Sequence, residues 1–251
     1  MSEIARVWPV PFVERASDDD LAEWYSAGAA DDAPWARVNF VSSLDGSATH
    51  AGRSGGLSDE ADKRVFEVLR RLCDVVVVGA GTVRVEGYGG MRVSEESERA
   101  RASRGLAPQP VLAIVSGALD LDPDGEVFSE APVRPLVLTG RAAPPDRVDA
   151  LSAVADVLVC GSSDDVDTAW MLEALADRGL RRVHCEGGPH LLGQMIEDGA
   201  VDELCLTLSP RLEGGSGPRI TAESHPAAPY GMGLAHVLAS GDTLLLRYLR
   251  G

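Results

Sequence analysis

Two glycine corners, and the charged side chains between them, are where this chain offers chemistry. The first corner is Gly79–Ala80–Gly81–Thr82–Val83, directly after Cys73, Asp74 and four consecutive valines, Val75 to Val78. Gly79 and Gly81 permit backbone angles closed to other residues and let a ligand approach bare main chain. Thr82 is placed to cap a following helical turn, whose free N–H groups attract an anion. The second corner repeats the design: Arg182 to Cys185 runs into Glu186–Gly187–Gly188–Pro189, then a short helix through Leu191. Two such corners suit the two ends of one extended, phosphorylated cofactor. Between them stand Asn39 inside an apolar run, then Ser42, Asp45 and Gly46 in a polar turn, and Asp62 and Lys63 near a helix start. Glu86 and Arg92 lie among glycines. A carboxylate can move a proton, amides and hydroxyls orient a ligand, and arginines among glycines hold anions.

These residues need elements to place them. Four valines bounded by turn residues read as a strand buried on both faces. Trp35 to Val41 reads as the first core strand, with Ser42 to Ser47 at its carboxyl end, where ligands gather in open α/β sheets. Residues 48–57 form a Gly/Ser loop long enough to cover a site. Ser58 is expected to cap the next helix, with Asp59 and Glu60 in its first turn. Ala61, Val65, Val68, Leu69 and Leu72 give that helix one buried stripe. Residues 82–92 read as a glycine-rich loop. Residues 93–107 read as a charged helix or mobile loop, with Glu95, Glu96, Glu98, Arg99 and Arg101 on a solvated face. Strands follow at 111–115, ending at Ser116, and at 136–139, 157–160, 181–185 and 204–208. Helices are expected at 168–178 and 189–198. Leu234 to Ala239 and Leu244 to Leu249 form a hairpin around Ser240–Gly241–Asp242–Thr243. Residues 1–34, with a helix from Ser17 to Tyr25, read as an N-terminal extension packed on one main domain, 35–251. The sum is an α/β fold: a mixed, mostly parallel sheet, helices on both faces, and an antiparallel C-terminal end.

Composition narrows the partners. A net charge of −16 argues against nucleic acid, which needs a basic face. Lys63 is the only lysine. Cys73, Cys160, Cys185 and Cys205 form no C-x-x-C pair and read as buried thiols. His184, His190, His225 and His236 lack metal spacing, so no metal is expected. No apolar run reaches the ~18 residues of a membrane helix, and no leader is visible at Met1–Glu3. A cytoplasmic protein is the expectation. The G-x-G-x-x-G fingerprint with its ribose-binding acid, the P-loop and H-E-x-x-H are all absent.

In order along the chain stand Phe40–Val41–Ser42–Ser43–Leu44–Asp45–Gly46, Asp74 to Val83, Glu186–Gly187–Gly188–Pro189, Val201–Asp202–Glu203–Leu204, and Ser209–Pro210. Together they resemble the C-terminal reductase domain of the bifunctional riboflavin-biosynthesis deaminase-reductase, which has the dihydrofolate-reductase-like fold. The resemblance runs from about Trp35 to the C-terminus. The zinc-deaminase signature H-x-E…P-C-x-x-C is absent, so a stand-alone reductase of the actinobacterial type is expected.

The resemblance implies NADPH as hydride donor and a homodimer. It places Gly79–Val83 on the adenosine and pyrophosphate side of the cofactor, Ser116 near a 2′-phosphate, and Glu186 to Leu191 on the pyrophosphate and nicotinamide side. Asn39, Ser42, Asp45 and Gly46 would lie between nicotinamide and substrate. One departure stands out. Where these reductases carry Asp-Asp-Pro and then Leu-Thr-x-Arg, this chain reads Val85–Glu86–Gly87–Tyr88–Gly89–Gly90–Met91–Arg92. Glu86 is the candidate to replace an aspartate and Arg92 to keep a phosphate contact. Asp62 falls on the helix that presents a carboxylate to the pterin in dihydrofolate reductases, and it is assigned the catalytic proton. Lys63 is a second candidate seat for an anionic group. The leading expectation is an NADPH-dependent reductase of 5-amino-6-(5-phosphoribosylamino)uracil. A dihydropterin or dihydrofolate reductase is the second, and a non-catalytic NADPH-binding regulator the third.

Overall fold

The structure is a computed structural model and describes residues 2–26, 33–222, 228, 229 and 231–251. His225 lies outside the described residues. The strands are β1 (Ala5–Trp8), β2 (Trp35–Ser43), β3 (Val75–Gly79), β4 (Val111–Val115), β5 (Leu136–Thr139), β6 (Asp156–Val159), β7 (Arg182–Cys185), β8 (Glu203–Ser209), β9 (Met232–Ser240) and β10 (Thr243–Arg250). The helices are α1 (Asp18–Ser26), α2 (Glu60–Arg71), α3 (Ala80–Glu86), α4 (Glu95–Ser103), α5 (Glu126–Ser129), α6 (Pro145–Ser152), α7 (Thr168–Ala176) and α8 (Pro189–Glu197). These strands form one sheet in the order β1-β9-β10-β8-β2-β7-β3-β4-β5-β6. It is parallel from β8 through β6 and antiparallel at β10, β9 and β1, as the hairpin and the strand–helix alternation lead one to expect.

The valine run shows why helices cover both faces. All four valines are fully buried, yet they alternate between two cores. Val75 and Val77 pack with Met171 and Leu175 of α7 and Leu192 and Met195 of α8. Val76 and Val78 pack with Val83 of α3, Phe128 of α5 and Leu151 of α6. Successive strand residues point to opposite faces, so only a continuous apolar run can serve both cores. A third core joins Leu21 and Tyr25 of α1 to Val65, Val68 and Leu69 of α2 over the antiparallel strands. The residues ahead of Trp35 thus supply both an edge strand, β1 on β9, and part of a core.

A buried ion cluster joins the two halves of the sheet. Glu203 of β8 is fully buried and accepts from Arg37 of β2 and Arg247 of β10, each at 2.7 Å. The same two arginines donate to the carbonyls of Trp24 and Tyr25, so they also satisfy the end of α1. Burial would raise the Glu203 carboxyl, but the two guanidinium groups hold it down at about 2.

Three local expectations are corrected. Asp59, not Ser58, caps α2, accepting from the backbone N–H of Ala61 and Asp62 at 2.9 Å. Thr82 caps nothing: Gly79 is the N-cap, and the stretch read as a loop from residue 82 is helical to Glu86. Gly87, at φ 73°, ends that helix in the left-handed conformation glycine favours. Arg101 does not face water. It is fully buried and donates to the carbonyls of Arg70, Cys73 and Ala107. Four residues of high polarity around it hid a staple between α4 and the end of α2.

Candidate active site

At the carboxyl ends of β2, β3 and β7 the sheet opens into a cavity of about 620 Å³. Helix α2 forms one wall. Asp62, Phe66 and Arg70 recur at every fourth residue and so share one face of the helix, and all three line the cavity. Asn39 and Phe40 of β2 stand opposite, with the Glu186–Pro189 corner beside them. Tyr88 to Arg92, after α3, close the remaining side. The two corners touch: the Gly79 N–H donates to the Gly187 carbonyl at 2.7 Å. Gly187 adopts φ 96°, which favours glycine, and a side chain there would press on the Phe40 ring at 3.1 Å.

Two of the carboxyl groups that border this space are in opposite states. Asp62 is 7% exposed. It enters no ion pair with another described residue. Its Oδ2 accepts from Ser58 Oγ at 2.5 Å, and the Thr207 side chain also bonds to it. Burial raises its pKa, and these hydroxyl bonds only partly oppose that. Glu186, in contrast, is held by a cation and a hydroxyl. Arg70 grips it through Nε at 2.6 Å and Nη2 at 2.8 Å, and the Tyr88 hydroxyl donates to it at 2.7 Å. Burial would raise Glu186 too, but Arg70 and the hydrogen bonds outweigh it and hold the carboxyl below its ordinary value. Arg70 in turn lies 4.4 Å over the Phe66 ring. Asn39 is buried, lines the cavity and makes no side-chain hydrogen bond to a described residue. Lys63 and Arg92 line it as well, both exposed and neither in an ion pair with another described residue.

The remaining candidates are distributed differently. Glu86 lines the cavity and accepts from the Ser54 N–H at 2.9 Å, latching the 48–57 loop. Thr82, Gly187, Gly188 and Pro189 also line it. Ser42 does not; it is buried and donates to the Ser43 carbonyl. Asp45 is exposed and outside the wall. The Ser43 hydroxyl and the Glu213 and Gly214 N–H groups hold its carboxyl down at about 2, so it clasps the loop after β8. Gly46, beside it, is exposed. Ala80 and Val83 turn into one core and Leu191 into another, which leaves only their backbones for a ligand. Gly81 is exposed on α3, and Ser116 is buried at the end of β4. Among the described residues, no group of three or more His, Cys, Asp or Glu could hold a metal ion.

A family model described as the RibD C-terminal domain matches residues 34–246, most of the chain. The chain belongs to that family. Among its relatives, the 2,5-diamino-6-ribosylamino-4(3H)-pyrimidinone 5′-phosphate reductase of Archaeoglobus fulgidus is 31% identical over 183 residues, 72% of this chain and 83% of that protein. The reductase of the same name from Methanothermobacter thermautotrophicus is 33% identical over 187 residues, 74% and 82% of the two chains. A solved pyrimidine reductase-like protein from Corynebacterium diphtheriae superposes with a TM-score of 0.82 at 28% identity, covering 92% of this chain and 98% of that one. As a RibD C-terminal domain protein, the chain is an oxidoreductase of riboflavin biosynthesis that needs a nicotinamide cofactor. Among the described residues, no helix is long and apolar enough to cross a membrane.

Within this family frame, sequence reading missed Phe66, Arg70 and Tyr88. The spacing of Asp62, Phe66 and Arg70 was the available signal for the first two. Tyr88 gave none, because its partner Glu186 lies 98 residues away.

Proposed function

We propose that this cavity reduces the C=N bond of a phosphoribosylaminopyrimidine in riboflavin synthesis, with NADPH as the hydride donor. One observation carries the reading. A buried carboxyl and an amide, three aromatic rings and two cations line one cavity, and among the described residues neither the carboxyl nor the cations enter an ion pair. The carboxyl, amide and rings suit a heteroaromatic ring. Lys63 and Arg92 suit a phosphate, which a bare dihydropterin lacks; this favours the phosphoribosyl compound over dihydropterin.

The residues present fit a dinucleotide. Helix α8 starts at Gly188 with no side-chain cap and Pro189 in its first turn, which leaves its N-terminal end open to an anion. Helix α3 likewise starts uncapped at Gly79. Gly46, Gly79–Val83, Ser116 and Glu186–Leu191 are assigned to NADPH, which supplies a hydride when bound. The other tasks fall to the chain. Asn39 orients the ring, Lys63 and Arg92 hold the phosphate, and the loop latched by Glu86 excludes water. Asp62 holds the proton that ends on the nitrogen as the carbon gains hydride. Ser42 and Asp45 serve through the turn and loop they fix. We also propose a cytoplasmic homodimer. The half-exposed to exposed row Leu206, Leu208, Leu244 and Leu246 on one sheet face supports association of two copies, and sedimentation at several concentrations tests it.

The test is product formation. The purified chain, given NADPH and the ribosylaminopyrimidine phosphate, should yield the ribitylamino compound, heavier by two hydrogens on mass spectrometry. Tight NADPH binding with no product would leave a nucleotide-binding module instead.

A further inference from the structure

Resting on the reading of the second glycine corner as a nucleotide seat, we propose that His184 is a positioning residue for that corner. Its Nε2–H becomes a further donor to Glu186 when the nucleotide binds, and so holds the Glu186–Pro189 main chain against the ligand. His184 precedes Glu186 by two residues at the end of β7, so the two side chains leave the same face of the sheet. Helix α2 covers that face. Its Phe66 stands edge-on to the imidazole with 6.1 Å between ring centres, and its Arg70 grips Glu186.

The imidazole is fully buried, and neither ring nitrogen has a hydrogen-bond partner among the described residues. Its strand neighbours supply none: Val76 on β3 is apolar, and Arg37 on β2 is committed to Glu203. Burial pushes the ring's pKa down to about 4, so near neutral pH it is uncharged and carries one N–H. A buried N–H without an acceptor is costly. Glu186 Oε1 lies 3.6 Å from Nε2, just beyond hydrogen-bond length. Arg70 and Tyr88 together make three hydrogen bonds to Glu186, and a carboxylate has about four acceptor sites, so capacity for a further donor remains. Hydrogen bonds at such sites tighten when a ligand seats. A nucleotide drawn onto the Gly187–Gly188 main chain acts directly on Glu186, the residue before it. Closing the bond relieves the unpaired N–H, and that gain adds to nucleotide affinity.

The experiment titrates NADPH against the wild type, His184→Leu and His184→Gln, and records the denaturant midpoint of each without nucleotide. His184→Leu keeps the size of the side chain and loses the N–H. Its NADPH affinity should fall by about 10-fold or more, the scale of one hydrogen bond to a charged group. Its midpoint should equal or exceed that of the wild type, because an unpaired polar group has gone. His184→Gln again offers an N–H and should recover part of the affinity. In the wild type, nitrogen-15 NMR of the imidazole should show the neutral Nε2–H tautomer, with that proton moving downfield as NADP⁺ is added. This signature decides alone if His184→Leu does not fold. An affinity of His184→Leu within about twofold of the wild type, or an Nδ1–H tautomer that ignores NADP⁺, would overturn the proposal. A lowered midpoint with unchanged affinity would leave His184 a packing residue only. If the wild type binds no NADPH, the nucleotide seat falls and this proposal with it. If NADPH binding depends on His184 but no pyrimidine is reduced, the proposal stands and the reductase reading falls.

Discussion

Asp62 and Glu186 are carboxyl groups on opposite edges of one cavity, and the fold treats them in opposite ways. The helix α2 edge gives Asp62 hydroxyl hydrogen bonds and no ion pair among the described residues, and burial pushes its pKa up against the weaker pull of those bonds and of Lys63. The β7 edge surrounds Glu186 with Arg70 and Tyr88, and these hold its pKa down. Burial alone therefore decides nothing; a directly bonded arginine does. A carboxyl gripped by an arginine and a hydroxyl ties walls together. Glu186 joins α2, the segment after α3 and the second glycine corner. A carboxyl with capacity to spare is available to a ligand. Environments that push two like groups apart mark their separate tasks.

The sharpest way to break this contrast is to neutralise each carboxyl in turn. Asp62→Asn should lower the reduction rate by about 10²-fold or more, the usual scale for a lost acid–base group. NADPH affinity should stay within about twofold, and the melting temperature should not fall. Equal losses of rate and NADPH affinity would remove Asp62 from its role. Glu186→Gln should do the reverse first. It strands Arg70 in a buried site, and breaking such a pair costs roughly 3–5 kcal/mol of stability, readable in denaturant unfolding. An unfolding free energy unchanged from the wild type would show that the corner does not depend on this pair.

The two groups should also respond to pH with opposite sign. Glu186 and Glu203 have folded pKa values below their unfolded ones. Their contribution is present above the unfolded value, about 4.5, and is lost as pH falls through the folded value, about 2 for Glu203. Asp62 is raised, so the native state binds its proton more tightly. Wild-type stability relative to Asp62→Asn should decline as pH rises from the unfolded value, about 3.8, through the folded one. Melting curves of the wild type and the two variants across this range measure both slopes. The smallest effect is expected from Tyr88→Phe, which removes one hydrogen bond to a charged group and should cost about 1.5–3 kcal/mol. It should loosen the Tyr88–Arg92 side of the cavity and raise the KM for the phosphorylated substrate more than it lowers kcat. A variant with unchanged KM would separate Tyr88 from the binding wall.

Much of this arrangement was readable before the structure. The valine run, the hairpin and the strand–glycine–helix corners encode the sheet because each is local. Asp62, Lys63, Glu86, Arg92 and Asn39, chosen from the sequence, meet in one cavity. The misreadings have a common cause. Arg101 looked solvated because its partners are carbonyl oxygens of Arg70, Cys73 and Ala107, which a sequence does not display as acceptors. Residues 82–86 looked like a loop because glycines on both sides masked a short helix packed through Ala80 and Val83. Asp45 was placed by its turn beside the site, and its partner, the Glu213 N–H, lies 168 residues further on. Pairings at such separations follow from topology, and local pattern carries no record of them.

The central claim is that the cavity reduces a phosphorylated aminopyrimidine. The most direct test follows NADPH absorbance with the ribosylaminopyrimidine phosphate and dihydrofolate offered side by side, at equal concentrations. The account predicts NADPH consumption with the pyrimidine phosphate and little or none with dihydrofolate. Faster consumption with dihydrofolate would contradict it. That result would mean the segment from Glu86 to Arg92 serves a pterin rather than a ribosyl phosphate.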